Sequence, residues 1–103
     1  MEDKNIEILL NIFTNALKEE KFVEDNQKLM YMYNSLKEIQ NKLPTLEELD
    51  KVKDAITDLE IKYEEFFEIA NYFDPIYFNI KNTLHKIEVK KIREENRRKR
   101  GIE

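Results

Sequence analysis

The side chains best placed to do chemistry form a row of basic residues, hereafter the basic row, in the last part of the chain. Its members follow one another in steps of four, three, four and three residues: Lys86, Lys90, Arg93, Arg97 and Arg100. Side chains with this spacing share one face of an α-helix. Arg98 and Lys99 add charge beside them. The basic row can bind several phosphates of DNA or RNA, because each contact releases a condensed counterion and this release favours binding.

The charge of the rest of the chain weakens that interpretation. Residues 1–79 carry 9 Lys and 18 Asp or Glu, a net charge of −9, whereas residues 80–103 carry 9 Lys or Arg and 4 Glu, a net charge of +5. An acidic body repels phosphate. The basic end is therefore more typical of a solvated tail. Two further interpretations are a segment that binds an acidic protein surface and a nuclear-import signal at residues 97–100.

Acidic side chains cluster in the middle of the chain, at Glu60, Glu64, Glu65 and Glu68. On one helix Glu64 and Glu68 would share a face, but the chain has a single His, His85, and the nearby Glu88 follows it. Di-metal helical bundles instead use a Glu-x-x-His motif on each of two helices. We therefore predict no metal site and interpret the acidic cluster as a solvated face or as a contact for the chain's own basic end.

Catalysis has little support in the residue types. Cysteine is absent, Ser35 is the only serine, and Gly101 is the only glycine, so neither a thiol nucleophile nor a glycine-rich phosphate loop can form. A catalytic triad would need Ser35 and His85 in one cleft, and nothing in their spacing indicates this. We expect a protein that is not an enzyme, uses no cofactor and takes no small-molecule substrate.

The elements that must carry these residues are helices. The chain is 41% hydrophobic and 39% charged, and it lacks the Asn-Gly and Asp-Gly turns typical of hairpins. Apolar residues recur in steps of three and four over residues 3–22 and again from Leu29 to Leu43. Asp25 or Asn26 can cap the second helix, but residues 22–26 are equally compatible with a bend. Pro44 ends this helix, and Thr45 with Glu48 matches a capping box that begins the next.

The strongest pattern is an apolar seam in the second half of the chain. Its members repeat at heptad spacing: Leu49, Val52, Ile56, Leu59, Tyr63, Phe66, Phe73, Tyr77, Ile80, Leu84 and Ile87. The spacing predicts an unbroken helix from residue 49 to residue 73. At Asp74 and Pro75 it is compatible with either a new helix or a kinked continuation. A seam of this length must be covered, because burying each large side chain gains about 1.5–3 kcal/mol.

Aromatic residues concentrate around the middle of this seam. Seven of the eleven lie between residues 63 and 78, where Phe66, Phe73 and Tyr77 fit the seam while Phe67, Tyr72 and Phe78 broaden or leave it. They are interpreted as a wide core or as a docking patch, since aromatic side chains are enriched at binding hot spots.

Together these patterns predict an all-α protein, either a three- to four-helix bundle or a long antiparallel helical hairpin with coiled-coil-like packing. We expect one helical domain over residues 1–94 and a basic, frayed tail over residues 95–103. The leading hypothesis is an intracellular interaction or assembly protein, cytoplasmic or nuclear, that packs through the seam as a homo-oligomer or in a heteromeric complex. The second hypothesis is a nucleic-acid-associated regulator that contacts phosphate through the basic row. We expect no membrane association, since the chain lacks an apolar run of about 20 residues.

Overall fold

Four α-helices and two short 3₁₀ turns make up the described part of the chain in a computed structural model, which describes residues 4–101 and the side-chain environment of residues 4–97. The helices are α1 (Lys4–Leu17), α2 (Asn26–Asn41), α3 (Leu46–Lys62) and α4 (Ile69–Gly101). The first 3₁₀ turn (Glu20–Asp25) leads into α2, and the second (Glu64–Phe66) leads towards α4. The prediction of an all-α, bundle-like fold is confirmed. Residues 22–25 lie in the first 3₁₀ turn and Asn26 begins α2, so the chain turns here rather than bending within one long helix.

The helices surround one core. The α1 helix packs against α2 and α4, and α3 packs against α4 and, less extensively, against α2. Because the connections are short, consecutive helices run antiparallel. Both 3₁₀ turns therefore lie at one end of the bundle, and the α2–α3 connection lies at the other. The core contains side chains from every helix, and its largest fully buried members are Phe13, Phe73, Ile6, Leu9, Leu29, Met32, Leu36, Leu49, Ile56, Leu59, Ile76 and Ile80.

The capping box at the start of α3 is confirmed. The backbone N–H of Glu48 donates to Oγ1 of Thr45 over 3.1 Å, and the backbone N–H of Thr45 donates to Oε2 of Glu48 over 3.4 Å. Two amide groups that no helical carbonyl can reach are thereby satisfied. Local side-chain chemistry therefore determines where this helix begins.

The predicted unbroken helix from residue 49 to residue 73 is wrong. The α3 helix ends at Lys62, Tyr63 has extended backbone angles, and α4 begins only at Ile69. The break lets the chain reverse, so that the two halves of the seam face the same core. Covering the apolar side chains of both halves provides the physical reason for the break. Heptad spacing reports which side chains are buried and does not require the helix between them to be continuous.

At Pro75 the helix continues, because α4 passes through this residue. A proline inside a helix removes one backbone hydrogen bond and costs about 3 kcal/mol. On either side of it Phe73 and Ile76 are fully buried and Tyr77 is 5% exposed. Each of these side chains gains about 1.5–3 kcal/mol from burial, which outweighs the cost of the proline.

The second half of α4 leaves the bundle. Leu84 is the last described side chain that packs against the core, yet the helix continues to Gly101. The sequence predicts fraying from residue 95, whereas residues 95–101 are helical; this segment is rich in Lys, Arg and Glu, which are good helix formers. Residues 85–101, hereafter the arm, extend about 25 Å at 1.5 Å per residue.

The arm makes the molecule elongated. The structure measures 66 × 23 × 21 Å, and its radius of gyration is 17.4 Å against about 13 Å for a compact chain of this length. No helix within residues 4–101 is both long and apolar enough to cross a membrane.

Candidate interaction surfaces

Most of the seam lies inside the bundle and is covered by the chain's own helices. Its fully or almost fully buried members are Leu49, Val52, Ile56, Leu59, Phe66, Phe73, Tyr77 and Ile80. Tyr63 and Leu84 are half-buried at the edge of the core, and Ile87, on the arm, is 41% exposed. Up to Ile80 the seam therefore needs no second chain to cover it.

The basic row lies along one face of the arm. Lys86, Lys90, Arg93 and Arg97 are all exposed, and the helix that carries them is unbroken. The side chains of the remaining predicted members lie outside the described residues: Arg98, Lys99 and Arg100. The first three turns of the arm thus present their cations to solvent as one stripe, in the arrangement that the spacing predicts.

Apolar side chains interrupt the polar surface of the arm. Ile92 is 50% exposed, and Val89, three residues before it, is half-buried. Val89 lines a shallow surface groove together with His85, Lys86, Lys90 and Arg93. Val89 and Ile92 are not among the interface residues that the sequence predicts. Their spacing of three residues could have indicated an apolar contact on the arm. That spacing is informative only once α4 is known to continue beyond residue 89.

The opposite end of the molecule is acidic. The two turn segments there, residues 18–25 and 60–68, hereafter the turn end, together carry eight acidic and three basic side chains, a net charge of −5. Oε1 of Glu60 accepts a hydrogen bond from the backbone N–H of Ala70 over 2.8 Å, and Glu65 pairs with Lys21 at 2.9 Å. Glu64 and Glu68 are exposed. The acidic cluster thus divides into carboxylates that hold the α3–α4 turn and carboxylates that face solvent.

Three large apolar side chains of the turn end also face solvent, and Val23, in the first turn segment, is 62% exposed. Ile61 is 81% exposed and Phe67 is 71% exposed, and both line one shallow cavity together with Glu60, Lys62 and Glu64. The predicted aromatic cluster is therefore split. Phe66 and Phe73 belong to the core, whereas Phe67 and Phe78, the latter 56% exposed, lie on the surface.

Asp25 joins the two turns. The Tyr63 hydroxyl donates a hydrogen bond to its carboxylate, and the Lys62 ammonium lies 2.9 Å from Oδ2 of Asp25, whose side chain is only 13% exposed. The ring of Phe22 contacts those of Tyr63 and Phe66 at centroid distances of 4.8 Å. The hydroxyl of Tyr63 and the ammonium of Lys62 lower the pKa of Asp25, and the same hydrogen bond raises the pKa of Tyr63. These contacts give the turn end a defined shape.

Acid should weaken this junction. The pKa of Asp25 is held below its ordinary value of 3.8, so the carboxylate stabilises the fold above about pH 4, and that stabilisation is lost as pH falls through the lowered pKa. We expect Asp25→Asn to destabilise the protein at pH 7 and to matter less at pH 3. Urea unfolding of both chains at the two pH values measures the difference. A gap in unfolding free energy that stays constant down to pH 3 would contradict the assignment.

A groove between α2 and α3 is the other concave surface of interest. It has a volume of about 340 Å³, and Ser35 and Leu43 contribute to its lining. Its charged side chains alternate in sign and cancel: Glu38, Lys42, Glu48 and Lys51.

His85 lies on a different surface, in the groove of the arm, so the structure does not bring Ser35 and His85 into one cleft. Among the residues whose side chains are described, no group of three or more His, Asp or Glu residues could hold a metal ion.

In comparisons with known proteins, no family model, curated protein or solved structure matches the chain.

Proposed function

We propose that this protein is a non-enzymatic helical interaction protein in which the bundle is the scaffold and the arm is the docking element. The observation that carries the proposal is the projection of α4 beyond Leu84, the last described side chain packed on the core, with Ile87 and Ile92 exposed along it. The assembly role is the one that the sequence predicts, but the surface that contacts the partner is the arm instead of the seam.

Helix energetics support a partner for the arm. An isolated helix of about 17 residues is marginal in water, since most helical stability in proteins comes from packing an apolar face. Burying each exposed isoleucine would gain about 1.5–3 kcal/mol. The chain's own core ends before these residues, so the covering surface must come from another molecule.

Site-specific photo-crosslinking in cells that naturally make the protein tests the proposal. A benzophenone amino acid at position 92 should give a discrete covalent adduct with another polypeptide. The matched control carries the same group at position 82, which is also exposed on α4 but lies beside the bundle. Absence of an adduct from position 92, or the same adducts from both positions, would overturn the proposal.

A second candidate function is polyanion binding through the basic row, favoured by the exposure of Lys86, Lys90, Arg93 and Arg97 on one helix face. Binding would be to phosphate and only weakly sequence-specific. Truncation after Ile92 removes five cations and should reduce the slope of log affinity against log salt by about 0.9 for each phosphate that is no longer neutralised. Fluorescence anisotropy with a labelled DNA duplex measures this. No binding at about 50 mM salt would eliminate this function, because non-specific contacts are strong there.

A further inference from the structure

We infer that the arm docks on the turn end of a second copy of this chain, so that molecules associate head to tail. The inference rests on the proposed function and names the partner surface. The two surfaces belong to the same molecule but lie at its opposite ends, because α4 begins beside the second 3₁₀ turn and runs past the whole bundle before the arm emerges. The molecule is 66 Å long, so a straight arm cannot reach its own turn end.

The charges of the two surfaces are complementary. The arm carries eight basic and three acidic residues, a net charge of +5, and the turn end has a net charge of −5. Two arms side by side would bring like charges together, and so would two turn ends. Symmetric contacts of either kind are therefore disfavoured, whereas the contact between an arm and a turn end is attractive.

The arm and the turn end also both expose apolar side chains next to their charged ones. The turn end presents Ile61 and Phe67 next to the exposed carboxylates of Glu64 and Glu68. The arm presents Val89 and Ile92 beside its cations. An apolar centre with a charged rim is the usual anatomy of a protein interface. The α2–α3 groove is a weaker site for the arm because its charges cancel.

Such a contact is heterologous, because it joins two different surfaces. Each association leaves one free arm and one free turn end, so growth continues until a ring closes or a chain forms. The assembly size should therefore rise with protein concentration, and it should fall with added salt because the exposed charge pairs are screened.

Charge reversal followed by mixing tests the geometry. The arm variant carries Arg93→Glu and Arg97→Glu, and the turn-end variant carries Glu64→Lys and Glu68→Lys. In sedimentation velocity we expect the unmodified chain to assemble, each variant alone to lose assembly, and an equimolar mixture of the two to regain it. The mixture regains assembly because the substituted glutamates of one variant can pair with the substituted lysines of the other, and the unmodified arm meets the unmodified turn end. The control, Lys42→Glu with Lys51→Glu, makes the same charge change as the arm variant, but beside the α2–α3 groove, and should assemble normally.

Several results would overturn the inference. These are an unmodified chain that stays monomeric at all concentrations, an assembly that persists unchanged in each variant alone, or a mixture that does not regain assembly. The crosslinker at position 92 gives a readout that is independent of how the variants fold: adducts should map to residues 60–68 of a second copy. Adducts to a different protein would overturn the head-to-tail inference while leaving the arm's docking function supported, and no adducts at all would overturn both.

Discussion

Ile56→Asp is expected to unfold the protein, whereas Ile61→Asp should leave it folded. The two isoleucines lie on the same helix, α3, but Ile56 is 2% exposed and Ile61 is 81% exposed. A carboxylate at position 56 would be buried in an apolar core without a partner, which costs several kcal/mol, whereas small domains are stable by only about 5–15 kcal/mol. Circular dichroism should show loss of helix for Ile56→Asp at pH 7.

Ile61→Asp is the control for that experiment, because it makes the same chemical change five residues further along the helix. At a protein concentration low enough for both chains to be monomeric, its helical signal and its thermal midpoint should match those of the unmodified chain, since isolated surface substitutions usually change stability by less than about 0.5 kcal/mol. Cooperative unfolding of Ile56→Asp at an unchanged midpoint would show that α3 does not bury this face.

Phe73→Ala should lower the free energy of unfolding by about 3–5 kcal/mol, the range found when a buried aromatic side chain leaves a cavity. Phe73 is fully buried in α4, two residues before Pro75, and its ring centroid lies 6.1 Å from that of Tyr77. The hydroxyl of Tyr77 donates to Oδ1 of Asp50 over 2.8 Å, which ties this part of α4 to α3. The large effect follows from the continuity of α4, which places both rings on the same side of the helix.

Phe78→Ala supplies the matched control, since Phe78 is 56% exposed on the same helix. Its cost should stay below about 1 kcal/mol because its ring is only partly removed from water. Urea unfolding with a shared slope compares the two variants directly. Equal decreases in unfolding free energy for Phe73→Ala and Phe78→Ala would mean that α4 presents a different face to the core after Pro75.

Some helix boundaries were predictable because their causes are local. Pro44 disfavours helical geometry at the preceding residue, and Thr45 and Glu48 exchange hydrogen bonds within four residues of chain. The break after Lys62 has no such signal. Tyr63 contacts Asp25 and Phe22, which lie about forty positions earlier in the chain. A turn that is stabilised by contacts with distant parts of the chain cannot be predicted from its own residues.

The interaction surfaces were predictable only in part. The basic row is a local pattern, and its face was correctly anticipated at Lys86, Lys90, Arg93 and Arg97. The spacing also separates Phe66, which fits the seam and is buried, from Phe67, which broadens or leaves the seam and is 71% exposed. Whether Phe67 widens the core or faces solvent was not predictable, because it depends on how the turn is rotated against the first 3₁₀ turn.

By itself the sequence determined the all-α class, the capping of α3, the identity of most core side chains and the separation of an acidic body from a basic end. These properties follow from composition, from periodicity and from hydrogen bonds between near neighbours. Only the tertiary structure decided that the seam folds back on itself at residues 63–68, that α4 continues through Pro75, and that the arm projects without a covering helix. Each of these depends on whether apolar surface far apart in the chain can be buried together, which is a property of the whole packed molecule.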